Sequence, residues 1–468
     1  YAFHLEGVQD IDGWVGSFLE DLEARGLAED TIVFFCSDHG GCLPRGKGFL
    51  YRTGLQVPLI AYVPPKFRAL TKTAPGTSND QLVHLMDLTP TFLSLAGVRP
   101  PQWMQGRAIL GRYAAAPRSY QFGFAANQAA HYVPSRTVSD GRYHLIRSYT
   151  PHKPYSLRNN FQWGMPSNLA WDEYAINGAA QGPHLQPYRP HAGEMLFDLE
   201  ADPFELNDLA ANPQHRQTLT RLRSALDDHL LQTRDLGFFP PEARHEDSLY
   251  KWTQDTKYPL AELLSAAKLA ATPTTADITK LNRFLQSDKP EIRFWGASGF
   301  AALAVQKPQL KPSPELEKAV NDADPYVAAE AAHALCYLGQ AETGTAVLVK
   351  ALAARSKGAY SALETLALTP VGRAALQPHL KQLRQLAGLE AAPVPVEVDE
   401  PVEKGDEEAG EEGGGGFQAR AILVNLRELP VKQLYGAKKG GRRVNTERKP
   451  LNPGPSGKVK GGLAGLEQ

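Results

Sequence analysis

Cysteine is scarce, with only Cys36, Cys42 and Cys336 in 468 residues. So few, so scattered, exclude a disulfide framework and a four-cysteine zinc site. Apolar runs are short as well, and none approaches the roughly 18 residues that a membrane-spanning helix needs. A charged-then-apolar leader is missing from the first residues. So is an initiator Met: the chain opens Tyr1-Ala2-Phe3-His4, and a native start is expected further upstream. Charge of one sign is absent too, since 50 Lys and Arg face 51 Asp and Glu for a net of −1. That balance gives no sign of a nucleic-acid partner. What is present is ordinary globular material, 42% hydrophobic and 9% aromatic, enough for two or three domains.

Charge is balanced only on average. Residues 391–416 hold nine acidic residues and one Lys, whereas 417–468 hold eleven basic and three acidic ones. The same 391–468 stretch carries 14 Gly and 7 Pro, a low-complexity composition too poor in apolar surface to offset its ordering entropy. It is expected to be a disordered tail, acidic and then basic. One short helical exception is open at 419–434, where Ile422, Leu423, Leu426 and Leu429 recur at helical spacing.

The first 134 residues alternate helix and strand signals. Ile11, Trp14, Val15, Phe18, Leu19 and Leu22 mark one apolar helix face that is expected to pack on a sheet, with Gly26 placed as a C-terminal cap. Thr31 to Cys36 is a continuous β-branched and aromatic run, the pattern of a strand buried on both faces. Val57 to Val63 reads as a second strand, and Thr89-Pro90 as the start of a helix ended by Gly97. This alternation predicts an α/β sandwich with a largely parallel sheet. From 135 to 245 the signals turn antiparallel. Asp140-Gly141 is a hairpin turn, Glu194 to Leu199 a further strand, and Leu219, Leu222, Leu226 and Leu230 one face of a covering helix. Between them, 151–190 lacks periodicity and reads as a long excursion that lines a pocket.

Residues 260–388 are rich in Ala and Leu. Pro290, Ile292 and Ala297 recur 35 positions on as Pro325, Val327 and Ala332. That spacing suits stacked, HEAT-like helical pairs, while an irregular helical domain with a chance match stays open.

Chemistry concentrates at Ser37-Asp38-His39-Gly40-Gly41, directly after the first strand. Ligands of α/β sheets bind beyond strand carboxyl ends, and Asp38 with His39 offers a carboxylate oxygen beside an imidazole nitrogen. Two readings follow: a pair of metal ligands, or a strand-ending turn capped by Asp38. Lys47, in a basic loop that can fold back over the strand end, is either an oxyanion contact or a solvated surface residue. His84 reads as a capping residue. Trp163, Trp171, Tyr155 and Tyr188 either stack on sugar rings or anchor the excursion. Arg136, Arg142 and His144 read as decoration of the hairpin.

Several ordered segments together carry a resemblance. Asp10-Ile11-Asp12, Gly26-Leu27, Ser37-Asp38-His39-Gly40, Lys47, Gly54 to Pro58 and Asp87-Leu88-Thr89-Pro90-Thr91 resemble the sulfatase family of the alkaline-phosphatase superfamily. Downstream, Ser139-Asp140-Gly141-Arg142-Tyr143, Leu196-Phe197-Asp198-Leu199 and Asp202-Pro203-Phe204-Glu205 resemble its C-terminal subdomain, closest to the sulfamidase-like branch. Arg189-Pro190 matches that pattern in part. The resemblance implies a divalent cation, usually calcium, held in part by Asp38 and His39, and a sulfate contact from Lys47. It also implies a formylglycine nucleophile made within C/S-x-P-x-R, and that motif is not in this chain. Cys42-Leu43-Pro44-Arg45 has Arg one position early, and Tyr132-Val133-Pro134-Ser135-Arg136 begins with a phenol that cannot become an aldehyde. The chain therefore resembles the latter half of a sulfatase domain, and as given it is expected not to hydrolyse sulfate esters.

The resemblance implies sulfated carbohydrate or a small sulfate ester as substrate, and export of the protein. A phosphodiesterase or phosphonate hydrolase on the same fold is an alternative. So is a non-catalytic binding protein that holds a protein partner on its helical repeats.

Overall fold

The computed structural model describes residues 2–128, 131–159, 161–241, 248–390 and 416–434. Helix α1 (Ala2–Ala24) forms where the apolar stripe predicts it, and Gly26 ends it at a φ of +68° that suits glycine. The stripe stays uncovered among the described residues, however, with Trp14 55% and Phe18 56% exposed. The expected packing of α1 on a sheet is therefore not what the structure has.

Strand β1 (Val33–Cys36) is followed by the single-turn helix α2 (Arg52–Leu55) and strand β2 (Leu59–Tyr62). The two strands pair antiparallel, Val33 opposite Tyr62 and Cys36 opposite Leu59, which corrects the expectation of a largely parallel sheet. The connection is long enough for a parallel crossover, but such a crossover is usually carried by a full helix, and α2 is one turn long. β1 is half-buried and not enclosed on both faces. Helix α3 (Leu88–Leu95) lies against it, Phe92 meeting Phe34 edge-on at 5.1 Å. That helix starts at Leu88, one residue before the expected Thr89 cap, because a short 3-10 turn capped by His84 precedes it.

Strands β3 (Gln121–Gln128), β4 (His131–Ser139) and β5 (Tyr143–Ser148) run antiparallel; after helix α4 (Pro166–Ile176), β6 (Glu194–Asp198) completes the order β3-β4-β5-β6. Asp140-Gly141 turns β4 into β5 as its sequence predicts, with Gly141 at a φ of +99°. Val138, Leu145 and Leu196 are fully buried together with Leu219, Leu222, Leu226 and Leu230 of α5 (Arg216–Gln232).

Helices α6 (Leu249–Asp255), α7 (Leu260–Ala271), α8 (Ile278–Leu285), α9 (Pro290–Gln306) and α10 (Pro314–Ala319) follow. The array continues through α11 (Pro325–Tyr337), α12 (Ala341–Ala353), α13 (Lys357–Ala367), α14 (Pro370–Leu376) and α15 (Leu380–Leu386). Pro290 and Pro325 open α9 and α11, where a missing N–H costs nothing, and α9 packs directly on α11. The matched pairs Ile292 with Val327 and Ala297 with Ala332 are all buried. This layer is not separate from the sheet. Trp295 of α9 lies 6.3 Å from Tyr149 and from Phe238 by ring centroids and donates its indole N–H to the Phe238 carbonyl, so one hydrophobic core runs from β4 to α11.

Part of the expected tail is folded as well. Helix α16 (Gly416–Asn425) packs on α13 and α15 with Ala419, Ile422, Leu423 and Val424 fully buried. This corrects a tail disordered throughout 391–468 and realises the helical spacing at 419–434. Residues 391–415 and 435–468, to which the rest of that expectation applies, lie outside the described residues.

Candidate functional site

The strand-end turn is held by backbone approach. Gly40 N–H donates to the Gly54 carbonyl at 3.0 Å, and a Cβ on Gly40 would lie 1.9 Å from the Thr53 carbonyl oxygen. Lys47 N–H donates to the Gly41 carbonyl, so the basic loop does fold back over the strand end. Arg45 bends it, at a φ of +62°.

On this turn Asp38 points to solvent, its side chain 82% exposed, and its carboxylate meets His39 Nε2 at 3.2 Å. His39 Nδ1 faces the Gly40 carbonyl at 2.7 Å. The adjacent carboxylate and imidazole are brought together. Lys47 is directed elsewhere, its ammonium 4.3 Å from the centre of the Phe161 ring and its carbonyl accepting from Gln162. Calcium takes six to eight oxygen ligands, and one carboxylate beside an imidazole does not fill such a shell. Asp38 and His39 by themselves do not fit a calcium ion.

Beside this loop lies a cavity of about 270 Å³ lined by Pro44, Arg45 and Phe49 and, across it, by residues of the 151–190 excursion. Tyr155, Trp163, Trp171 and Tyr188 all face it. Each is also anchored. Trp163 Nε1–H and the Tyr188 hydroxyl donate to the two oxygens of the fully buried Asp172, at 2.7 and 2.8 Å. Trp171 donates to the His184 carbonyl, and Tyr155 stacks on His191 at 4.1 Å. Burial and the Asp172 charge push the Tyr188 phenol up, and burial does the same to Tyr155, so both hydroxyls stay neutral. The anchoring expected of these four side chains is what the structure shows, with their rings left on the cavity wall.

The cavity lining carries charge of both signs, Arg45 and Arg189 against Glu205 and Asp208. Arg189 is exposed there, and the Arg45 guanidinium covers the Tyr51 ring at 3.9 Å while donating to the Phe204 and Glu205 carbonyls. His191 has both ring nitrogens shut off from solvent without a partner, and burial pushes its pKa down to about 3.

The remaining sequence candidates are structural. His84 caps its 3-10 turn as expected, accepting from Met86 N–H while Asp87 accepts from His84 N–H. Arg136 and His144 do not decorate the hairpin. Both are buried, Arg136 clamping Asp235 at 2.6 Å and His144 donating to Glu205 at 2.5 Å. Arg142, half-exposed, holds Asp198 at 2.8 Å. Tyr132 is buried and donates to the Gly237 carbonyl. Sequence reading missed Asp172, which stands in an aperiodic stretch, and it quoted Glu205 within a family motif without its partners, the Arg52 N–H and His144.

Comparison with known proteins bears on the strand-end segment first. Residues 2–98 match the family model described as Sulfatase. Over these residues the chain is similar to the sulfatase family of hydrolases. An ulvan-active sulfatase of Formosa agariphila is 38% identical over 234 residues, covering 50% of this chain and 38% of that protein. Human N-sulphoglucosamine sulphohydrolase is 28% identical over 255 residues, covering 51% of this chain and 49% of its own. A solved 2-O GAG sulfatase aligns over 48% of this chain and 41% of that one, at 21% identity and a TM-score of 0.35. The chain thus spans less than half the length of these sulfatase relatives.

Proposed function

We propose that this chain is the part of a carbohydrate sulfatase that binds the sulfated sugar, built on the sulfamidase-like branch. The observation that carries the reading is the cavity of about 270 Å³ beside the Lys47 loop, walled by Tyr155, Trp163, Trp171 and Tyr188. Flat aromatic faces suit pyranose rings, and a mostly apolar cavity with few fixed polar groups is how small ligands are held. Arg189 at its open rim offers a planar fork for a sulfate group. Both curated relatives act, by their names, on sulfated sugars or polysaccharides, which supports the same substrate class here.

In this reading Asp38 and His39 contribute two donors to a calcium site that needs more, and Lys47 swings from Phe161 to the sulfate. A formylglycine nucleophile has no C/S-x-P-x-R in these 468 residues to be made from, so the chain binds without turning over. The α7–α15 layer, read as HEAT-like pairs, serves as a rigid back wall to the excursion.

The test is calorimetric titration of the full chain with ulvan oligosaccharides and with the same material desulfated. Binding of the sulfated form is expected, with Trp171→Ala weakening it about tenfold, the equivalent of one lost stacking contact. Equal affinity for both forms, or for both proteins, overturns the reading, as does hydrolysis of an aryl sulfate by this chain.

A further inference from the structure

Behind the cavity, at the contact between the sheet layer and the helices, a group of ionisable side chains is shut away from water. His152 lies in the turn after β5, and Glu330 and His333 lie on α11. All three are buried, His333 fully so. Glu330 and His333 are three apart on a helix and therefore share one face, the spacing with which helical bundles present a carboxylate and an imidazole to one ion. His152 Nε2 approaches Glu330 Oε2 at 2.9 Å, and His333 Nδ1 stands 4.0 Å from the same oxygen. One ligand atom from each residue falls within 4.8 Å of the others.

Three polar atoms here lack a hydrogen-bond partner. Both ring nitrogens of His333 and Nδ1 of His152 are buried without a partner. A neutral imidazole always carries one N–H and one lone pair, so His333 leaves both unused. Lys153 accounts for the other side of the cluster, its ammonium paired with Glu330 Oε1, which leaves Oε2 turned to the two rings.

We propose that His152, Glu330 and His333 form a binding site for a borderline-soft divalent cation of the zinc type. Two imidazole nitrogens and one carboxylate oxygen are a zinc donor set, with metal–ligand distances near 2.0–2.2 Å that a small separation of His152 from Glu330 accommodates. On binding, the ion takes the place between His152 Nε2 and Glu330 Oε2, and any proton on Nε2 moves to the unused Nδ1. The fourth position is left to a water or hydroxide. The ion joins the turn after β5 to α11. Tyr155, three residues after His152, then holds the cavity wall from a fixed point. The site is independent of Asp38 and His39 and of the proposed sugar specificity.

The experiment uses the full chain carrying Asp38→Ala, so that the strand-end turn lacks its carboxylate. The protein is loaded with excess zinc, desalted and assayed by plasma mass spectrometry; about one zinc per chain is expected. His333→Gln in the same background is expected to fall to the level of buffer. Melting curves in chelator are expected to coincide for the two proteins, with added zinc raising only that of the chain that keeps His333. Cobalt loading of the chain with His333 intact needs no site variant, and intense visible bands of tetrahedral Co(II) are expected. Equal zinc in both proteins, zinc in neither, or cobalt spectra without tetrahedral bands overturns the proposal. An ordered water in the gap would give the second and third of these results.

Discussion

Arg158 and Glu364 meet in the interior, Nη1 to Oε1 at 3.0 Å, although 206 residues separate them in sequence. The same guanidinium donates from Nε to Asp172 at 2.5 Å and from Nη1 to Asn425 at 2.7 Å. The excursion, α13 and α16 thus converge on one buried cation. Replacing it by Met leaves Asp172 and Glu364 without their positive partner. Arg158→Met is expected to cost about 3–5 kcal/mol, the scale for breaking a buried ion pair. Glu364→Gln is expected to cost under about 1 kcal/mol, because burial already pushes that carboxyl up to about 7 against the opposing pull of Arg158. Denaturant titration of both variants checks the asymmetry, and equal losses would show that Glu364 is held fully ionised.

The His191 ring, half-buried with both nitrogens shut off from solvent, sets an acid limit. Its folded pKa of about 3 lies below the ordinary 6.5, since burial disfavours the cation. The unfolded chain therefore binds the proton first. The stabilisation is complete above pH 6.5 and is lost as pH falls from there toward 3. His191→Phe keeps a ring against Tyr155 and removes the titration. Relative to that variant, the native protein is expected to lose about 2–3 kcal/mol by about pH 4.5. Parallel stability curves for the two proteins between pH 7 and 4.5 would contradict this assignment.

Thiol chemistry distinguishes the three cysteines. Cys36 is exposed and Cys42 partly so, while Cys336 is buried and its thiol is pushed up to about 12 by desolvation. A thiolate is the reactive form, so Cys336 is expected to be inert in the folded protein. Alkylation with iodoacetamide at neutral pH should label Cys36 and Cys42 and reach Cys336 only in denaturant. Peptide mass spectrometry reads this directly, and native labelling of Cys336 would mean that the α11–α12 contact opens.

Local structure was legible where the residues that dictate it are neighbours. Asp140-Gly141 fixes its hairpin, Gly26 and Gly97 end their helices at positive φ, and the Leu219 to Leu230 stripe finds its sheet. The Ser37 to Gly41 turn also announces itself, as a polar pair at a strand end. Strand direction was not legible, because β1 reads alike whichever way its partner runs. Nor was the cavity's support. Asp172 holds Trp163, Tyr188 and Arg158, yet in sequence it is one acidic residue in an aperiodic stretch. The His152, Glu330 and His333 group was invisible for the same reason, since its halves stand 178 residues apart.

Helix α16 shows how composition can mislead when averaged over a window. Its Gly and charge-rich flanks place it in a low-complexity stretch, but Ala419, Ile422, Leu423 and Val424 are fully buried against α13 and α15. Asn425 fixes it further, donating to the Glu364 carbonyl at 3.0 Å and accepting from Arg158. This segment is part of the core, so a truncation in it acts as a core mutation. Leu423→Ala is expected to cost about 2–5 kcal/mol, the range for a large-to-small change in a packed interior. Leu389→Ala, at a 40% exposed position just past α15, is expected to change stability by less than about 0.5 kcal/mol. Denaturant midpoints of the two variants decide the matter, because a helix resting loosely on the surface would make both changes equally small.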